Sequence, residues 1–183
     1  MNKFYKLAGV AAFTVVALGV SVSGYAADTI QFTGRVVGES CALDTAITTG
    51  AGTVALGDVP ISVVTTAGGK SPDTPFTVAL TGCPANDAQI SLTLAGTPNT
   101  NDTQLLAVAG GTPATGVGIA VFDNTSGTPV QLDFSTTAQT APLATDADGK
   151  VAFNFIANIM NDGSSAATAG DANATATLTV NYQ

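Results

Sequence analysis

The sequence has no histidine, only two cysteines and only five basic residues among 183. Without histidine, a serine or cysteine hydrolase triad has no base, and a zinc site lacks imidazole as well as the sulfur ligands that two thiols cannot supply alone. The thirteen acidic residues are scattered as Asp28, Asp44, Asp58, Asp73, Asp87, Asp102 and onward. They read as solvated turn residues and form no carboxylate constellation for acid–base work. Gly69-Lys70-Ser71 resembles the end of a phosphate-binding loop, but Val64 stands where the first glycine belongs and Pro72 follows, so no helix can start there. The expectation is a protein that is not an enzyme, with no metal site and no cofactor.

The scarcity of positive charge points the same way. Lys3 and Lys6 precede the apolar run Leu7 to Val22, and Ser23-Gly24-Tyr25-Ala26-Ala27 places small residues at the exit. This pattern predicts a secretory signal over residues 1–26, cleaved after Ala26. A membrane anchor is disfavoured, because the run contains Gly9, Thr14, Gly19 and Ser21 and is short for a hydrocarbon core of about 30 Å. Cleavage leaves three basic residues against thirteen acidic ones, a net charge of −10. Such a surface repels nucleic acid, and no stable membrane insertion of the mature chain is expected. The remaining 157 residues suffice for one domain that buries about 70% of its unfolded surface.

An exported chain with two cysteines and no zinc ligands predicts a disulfide between Cys41 and Cys83. Closing that loop of about 43 residues stabilises by roughly 4 kcal/mol in the chain-entropy model.

Apolar residues, 45% of the chain, recur with a period of two rather than 3.6. Ile30, Phe32, Gly34 and Val36 alternate with polar neighbours across Asp28 to Val37. At the other end, Ala174, Ala176, Leu178, Val180 and Tyr182 alternate with Thr175, Thr177, Thr179 and Asn181. Between them, strands are expected over 53–60, 76–80, 88–94, 104–108, 116–122, 128–132 and 151–160, separated by Gly, Pro, Asn and Asp turns. No capped helical segment of substance appears outside the signal. Short strands of this kind indicate an all-β, immunoglobulin-like sandwich. About six confident strands follow Cys41, one short of seven, while Asp28 to Val37 stands outside the disulfide loop as a free arm. Asn101-Asp102-Thr103, Asn124-Thr125-Ser126 and Asn173-Ala174-Thr175 match glycosylation sequons but read as ordinary turn residues.

These pieces together resemble a chaperone–usher pilin, similar to the type 1 fimbrial major subunit, over the whole mature chain. The resemblance is carried by Ile30-Gln31-Phe32-Thr33-Gly34-Arg35-Val36-Val37 leading to Cys41-Ala42-Leu43-Asp44, and by Val54-Ala55-Leu56-Gly57. It is carried further by Phe76 to Cys83, Val117-Gly118-Ile119, and Gly170 with the penultimate Tyr182. One departure is Ile156-Ala157-Asn158-Ile159, where relatives often have a basic residue and a tyrosine.

The resemblance implies an incomplete sandwich, residues 41–183, completed in trans by the donor-strand arm, residues 27–40, of the next subunit. The donor residues would be Ile30, Phe32, Gly34 and Val36. The strand read by the chaperone and bordering the acceptor groove would carry Gly170, Ala174, Ala176, Leu178, Val180 and Tyr182. The implied partners are identical or related pilin subunits in a head-to-tail filament, a periplasmic chaperone and an outer-membrane usher. The implied destination is a cell-surface fimbrium that supports adhesion, reached through the periplasm. The alternative is a secreted monomeric β-sandwich that binds carbohydrate, its arm pairing in cis.

Overall fold

The computed structural model of the chain describes residues 41–44, 52–84 and 89–182. In chain order its strands are β1 (Ala42–Leu43), β2 (Thr74–Thr81), β3 (Gln89–Gly96), β4 (Leu105–Ala107), β5 (Val117–Asp123), β6 (Val130–Gln131), β7 (Ala138–Gln139), β8 (Leu143–Ala144), β9 (Val151–Asn161) and β10 (Ala176–Tyr182). The expected signal segment, residues 1–26, and the expected arm, residues 27–40 with Ile30, Phe32, Gly34 and Val36, lie outside the described residues.

The pattern of β9 dictates its place. Val151, Phe153, Phe155, Ala157 and Ile159 are buried on one face while Ala152 and Asn154 are exposed on the other. The buried backbone of so long a strand needs hydrogen-bonding partners on both edges, and β9 lies between β2 and β5, antiparallel to each. The first sheet runs β1-β2-β9-β5-β4, with β6 also paired to β5; the second runs β10-β3-β7, with β8 also paired to β3. Ile90, Leu92 and Leu94 of β3 face the first sheet across a core that includes Val78, Leu80, Phe153 and Phe155. Stacked rings of Phe76 and Phe155, with centroids 5.2 Å apart, continue it toward the sheet edge. This is an immunoglobulin-like sandwich.

The expected Cys41–Cys83 disulfide is present, with Cα atoms 4.3 Å apart. It fastens β1 to the end of β2, where the Cys83 N–H donates to the Gly149 carbonyl at 2.9 Å.

Two expected strands differ from the structure. Residues 53–60 form no ladder among the described residues. The segment is extended up to Pro60 but has no neighbour there to exchange hydrogen bonds with, and it ends in a 3₁₀ turn, Ile61–Val63. The candidate over 128–132 shrinks to the two residues of β6, since Leu132 and the following Phe134 turn inward to fill the core.

At Ile156-Ala157-Asn158-Ile159, the departure from the pilin pattern places a fully buried asparagine whose amide nitrogen is bonded and whose side-chain oxygen has no hydrogen-bond partner among the described residues. The Asn158 amide donates to Asp73 at 2.9 Å, and the Ile159 N–H to the Ser71 hydroxyl at 3.0 Å. Lys70 also donates to Asp73 at 2.9 Å, and that hydrogen bond leads the causes holding the Asp73 carboxyl below its ordinary value.

Candidate functional site

β10 is hydrogen-bonded to β3 along its full length, from Ala176 opposite Gly96 to Tyr182 opposite Ile90. Its other edge pairs with no strand among the described residues. An exposed edge this long is a template for an additional strand. Beside it a groove of about 1000 Å³ opens into the core. One wall is formed by Gly170 to Ala176 with Leu178, the other by Gly52 to Val59, and the floor by side chains including Phe76, Val78, Leu106, Val117 and Ile119. Val54, Leu56 and Val59 are half-buried against this space. Residues 53–60 thus lack a ladder where a strand between them and β10 would supply one.

Gly170, Ala174, Ala176 and Leu178 all line the groove. Leu178 and Val180 are half-buried and pack against the core. Tyr182 lies past the groove, 37% exposed, and its hydroxyl accepts a hydrogen bond from the Cys41 N–H at 2.7 Å. The last strand and the disulfide therefore meet at one end of the domain.

Gly170 precedes β10, in a stretch that pairs with the loop before β5. The Ala114 N–H donates to the Asp171 carbonyl at 2.9 Å and the Asp171 N–H to the Thr112 carbonyl at 2.7 Å. A Cβ at position 170 would lie 2.6 Å from both the Ala114 nitrogen and the Thr112 oxygen, backbone atoms that cannot swing aside. Glycine here permits the close approach that shapes this end of the groove. Gly170→Ala should part the two segments and cost about 1–3 kcal/mol, read as a lower urea midpoint of the subunit with its groove filled. An unchanged midpoint would show that the contact is not a tight one.

The same end is braced by a buried carboxylate. Asp162 accepts from the Asn99 and Asn101 amides at 3.2 and 3.0 Å and from the Ser164 hydroxyl at 2.6 Å. Burial pushes its carboxyl up, but the Ser164, Asn101 and Asn99 hydrogen bonds outweigh that and hold it below the ordinary carboxylate value. Among the described residues no group of His, Cys, Asp or Glu side chains is arranged to hold a metal ion.

Sequence periodicity marked β10 as a strand, and only the resemblance implied a groove beside it. The floor residues Leu106, Val117 and Ile119 were legible only as strand residues, since their alternation marks an inward face without saying that the face stays open.

The chain as a whole is similar to known proteins. The family model described as "Fimbrial protein" matches residues 30–183. The "Type-1 fimbrial protein, A chain" of Salmonella typhi is 35% identical over 168 residues, covering 90% of this chain and 85% of that one. The "S-fimbrial protein subunit SfaA" of Escherichia coli O6:K15:H31 is 33% identical over 186 residues, covering 97% and 98%. Among solved structures, the P pilus rod subunit PapA superposes with a TM-score of 0.60 at 21% identity, over 79% of this chain and 99% of that one, a likeness of fold. An antigen and type I fimbria protein of Burkholderia pseudomallei superposes with a TM-score of 0.55 at 27% identity, over 78% and 88%. The chain belongs to the fimbrial protein family and is a structural subunit of a fimbrium.

Proposed function

We propose that the subunit polymerises by donor-strand exchange: the arm of one copy, residues 27–40, completes the sandwich, residues 41–183, of another. The observation that carries this reading is the apolar groove, open among the described residues, beside the edge of β10 that no described strand pairs. An arm strand laid along that edge gains main-chain hydrogen bonds, and its alternate side chains enter the groove. Burying Ile30, Phe32 and Val36 at about 1.5–3 kcal/mol each contributes roughly 5–9 kcal/mol before any backbone pairing. Because the donating and accepting surfaces differ, repetition does not close and the product is a filament.

Before assembly the same groove needs a cover, since an open apolar core aggregates. A periplasmic chaperone bound along Ala174, Ala176, Leu178 and Val180 supplies it, and exchange takes place at an outer-membrane usher. Export begins with cleavage after Ala26. The subunit acts through assembly, without catalysis, and the finished fibre at the cell surface supports adhesion. A monomeric carbohydrate-binding sandwich, with the arm pairing in cis, is not favoured by membership of a fimbrial family.

The test is a synthetic peptide spanning Asp28 to Gly38, added to purified subunit–chaperone complex. It should displace the chaperone. Gly34 is the one inward arm position without a side chain, and an interior glycine in a strand marks a close approach of another surface. Gly34→Leu in the peptide should therefore overpack a shallow point of the groove, at a cost of about 1–3 kcal/mol, and slow displacement severalfold, with Gly34→Ala milder. Equal rates for the three peptides would refute the shallow point; no displacement by any of them would refute the donor role of the arm.

A further inference from the structure

The large apolar side chains that remain exposed among the described residues are Leu43, Ile61, Val63, Val130 and Tyr182. Four of the five fall at the two ends of the groove. Leu43 sits on β1 opposite Leu80, and Tyr182 reaches Cys41, so both mark the end where the arm leaves the domain. Ile61 and Val63 belong to the 3₁₀ turn, which is anchored at the other end: the Asn161 amide donates to the Val64 carbonyl at 2.9 Å and to the Ser165 carbonyl at 3.1 Å. Exposures of 47% for Leu43, 42% for Ile61, 40% for Val63 and 37% for Tyr182 leave apolar surface at each end of the groove, with Leu43 and Ile61 also contributing to its lining and Tyr182 and Val63 lying beyond it.

The length of chain between arm and domain decides what covers them. Val37 to Ser40 separate the last inward arm residue from Cys41, five Cα steps in all. Fully extended, five steps span at most about 18 Å. A copy whose Val36 is seated in a neighbour's groove must therefore hold its own Cys41 close to the mouth of that groove. The neighbour's own arm leaves from its Cys41 end, so in a filament that extends, the donating body lies at the opposite end, where Ile61 and Val63 are.

We propose that the Leu43 and Tyr182 end of each donating copy docks against Ile61 and Val63 of the copy that accepts its arm, a second contact between successive copies. The inference rests on the donor-strand reading above. It adds that the junction is a packed apolar contact between folded bodies, rather than a free hinge of four linker residues. Leu43, Tyr182, Ile61 and Val63 are all uncharged, so contact among these four side chains itself buries no charged group.

Photocross-linking in assembled fibres tests this. With Val63→p-benzoylphenylalanine, irradiation should join neighbouring copies, and the captured fragment should contain Cys41–Asp44 or Asn181–Gln183. Capture of sheet-face segments such as 89–96 or 151–161 instead, or fibres that yield no inter-subunit product, would overturn the contact. As a second measurement, Val63→Asp, a position outside the groove lining, should leave uptake of the Asp28–Gly38 peptide unchanged and shorten the persistence length of the fibres at least twofold. An unchanged persistence length would overturn the contact while leaving the donor-strand reading standing. Failure of the unsubstituted protein to take up the peptide would remove that reading, and the contact with it.

Discussion

A subunit lacking Thr29 to Val37 should form no fibres on its own, although it still folds and still accepts an arm peptide. The core that holds the described domain together draws on residues from Cys41 onward, so the deletion removes none of those core side chains. What it removes is the side chains proposed to fill a neighbour's groove. The resulting chain can accept and cannot donate. Mixed with intact subunit, it should be found only at the leading end of a fibre, where no donation is required. Fibre yield with the deleted chain alone should fall below detection by electron microscopy, while chaperone-complex yield stays within about twofold of the intact chain. Deleted subunits recovered from fibre interiors would mean that something other than the arm joins successive copies.

The second large effect is expected at the disulfide. Cys83 is buried and Cys41 half-buried, and between them they close a loop that includes β2 and one wall of the groove. Losing a native disulfide from a small secreted domain costs about 2–5 kcal/mol. A complete domain has roughly 5–15 kcal/mol of stability to draw on, and one with an unfilled groove begins lower. Cys83→Ser should therefore cut the yield of soluble subunit–chaperone complex severalfold. Once an arm peptide fills the groove, the same variant should persist, with a lowered urea midpoint. A complex yield equal to that of the unsubstituted chain would show that the bridge is dispensable before assembly.

The parts of this fold that were legible in the sequence are those in which one strand carries its own evidence. Val151, Phe153, Phe155 and Ala157 alternate without interruption and form the inner face of β9; Val117, Ile119 and Val121 do the same in β5. The β7 and β8 pairs were not legible, because two residues cannot display a period. Residues 53–60 misled for the opposite reason. Val54 and Leu56 carry a strand's alternation, but a ladder needs a partner, and none of the described residues supplies one. The disulfide could be anticipated by elimination, whereas the groove could not be drawn. It is a relation among β10, the residues before Pro60 and the floor of the first sheet, the first two of which lie more than a hundred residues apart in the chain. Gly170 stood out in the sequence, yet its reason, the 2.6 Å approach of the Thr112 and Ala114 backbone, exists only in three dimensions.

The position of Cys41 has a mechanical consequence. On the donor-strand proposal, load in a fibre under tension arrives through the neighbour's grip on the arm and enters the domain at Cys41. There it meets β1, whose two residues pair with β2 at Ala42 opposite Thr81 and Leu43 opposite Leu80. So short a ladder offers only two residue pairs against that load. The covalent bridge from Cys41 to Cys83 carries that force past β1 into the C-terminal end of β2, which lies against β9 over seven residue pairs. The bond that holds the unassembled subunit together thus becomes, in such a fibre, the tether through which pulling force reaches the broadest part of the sheet.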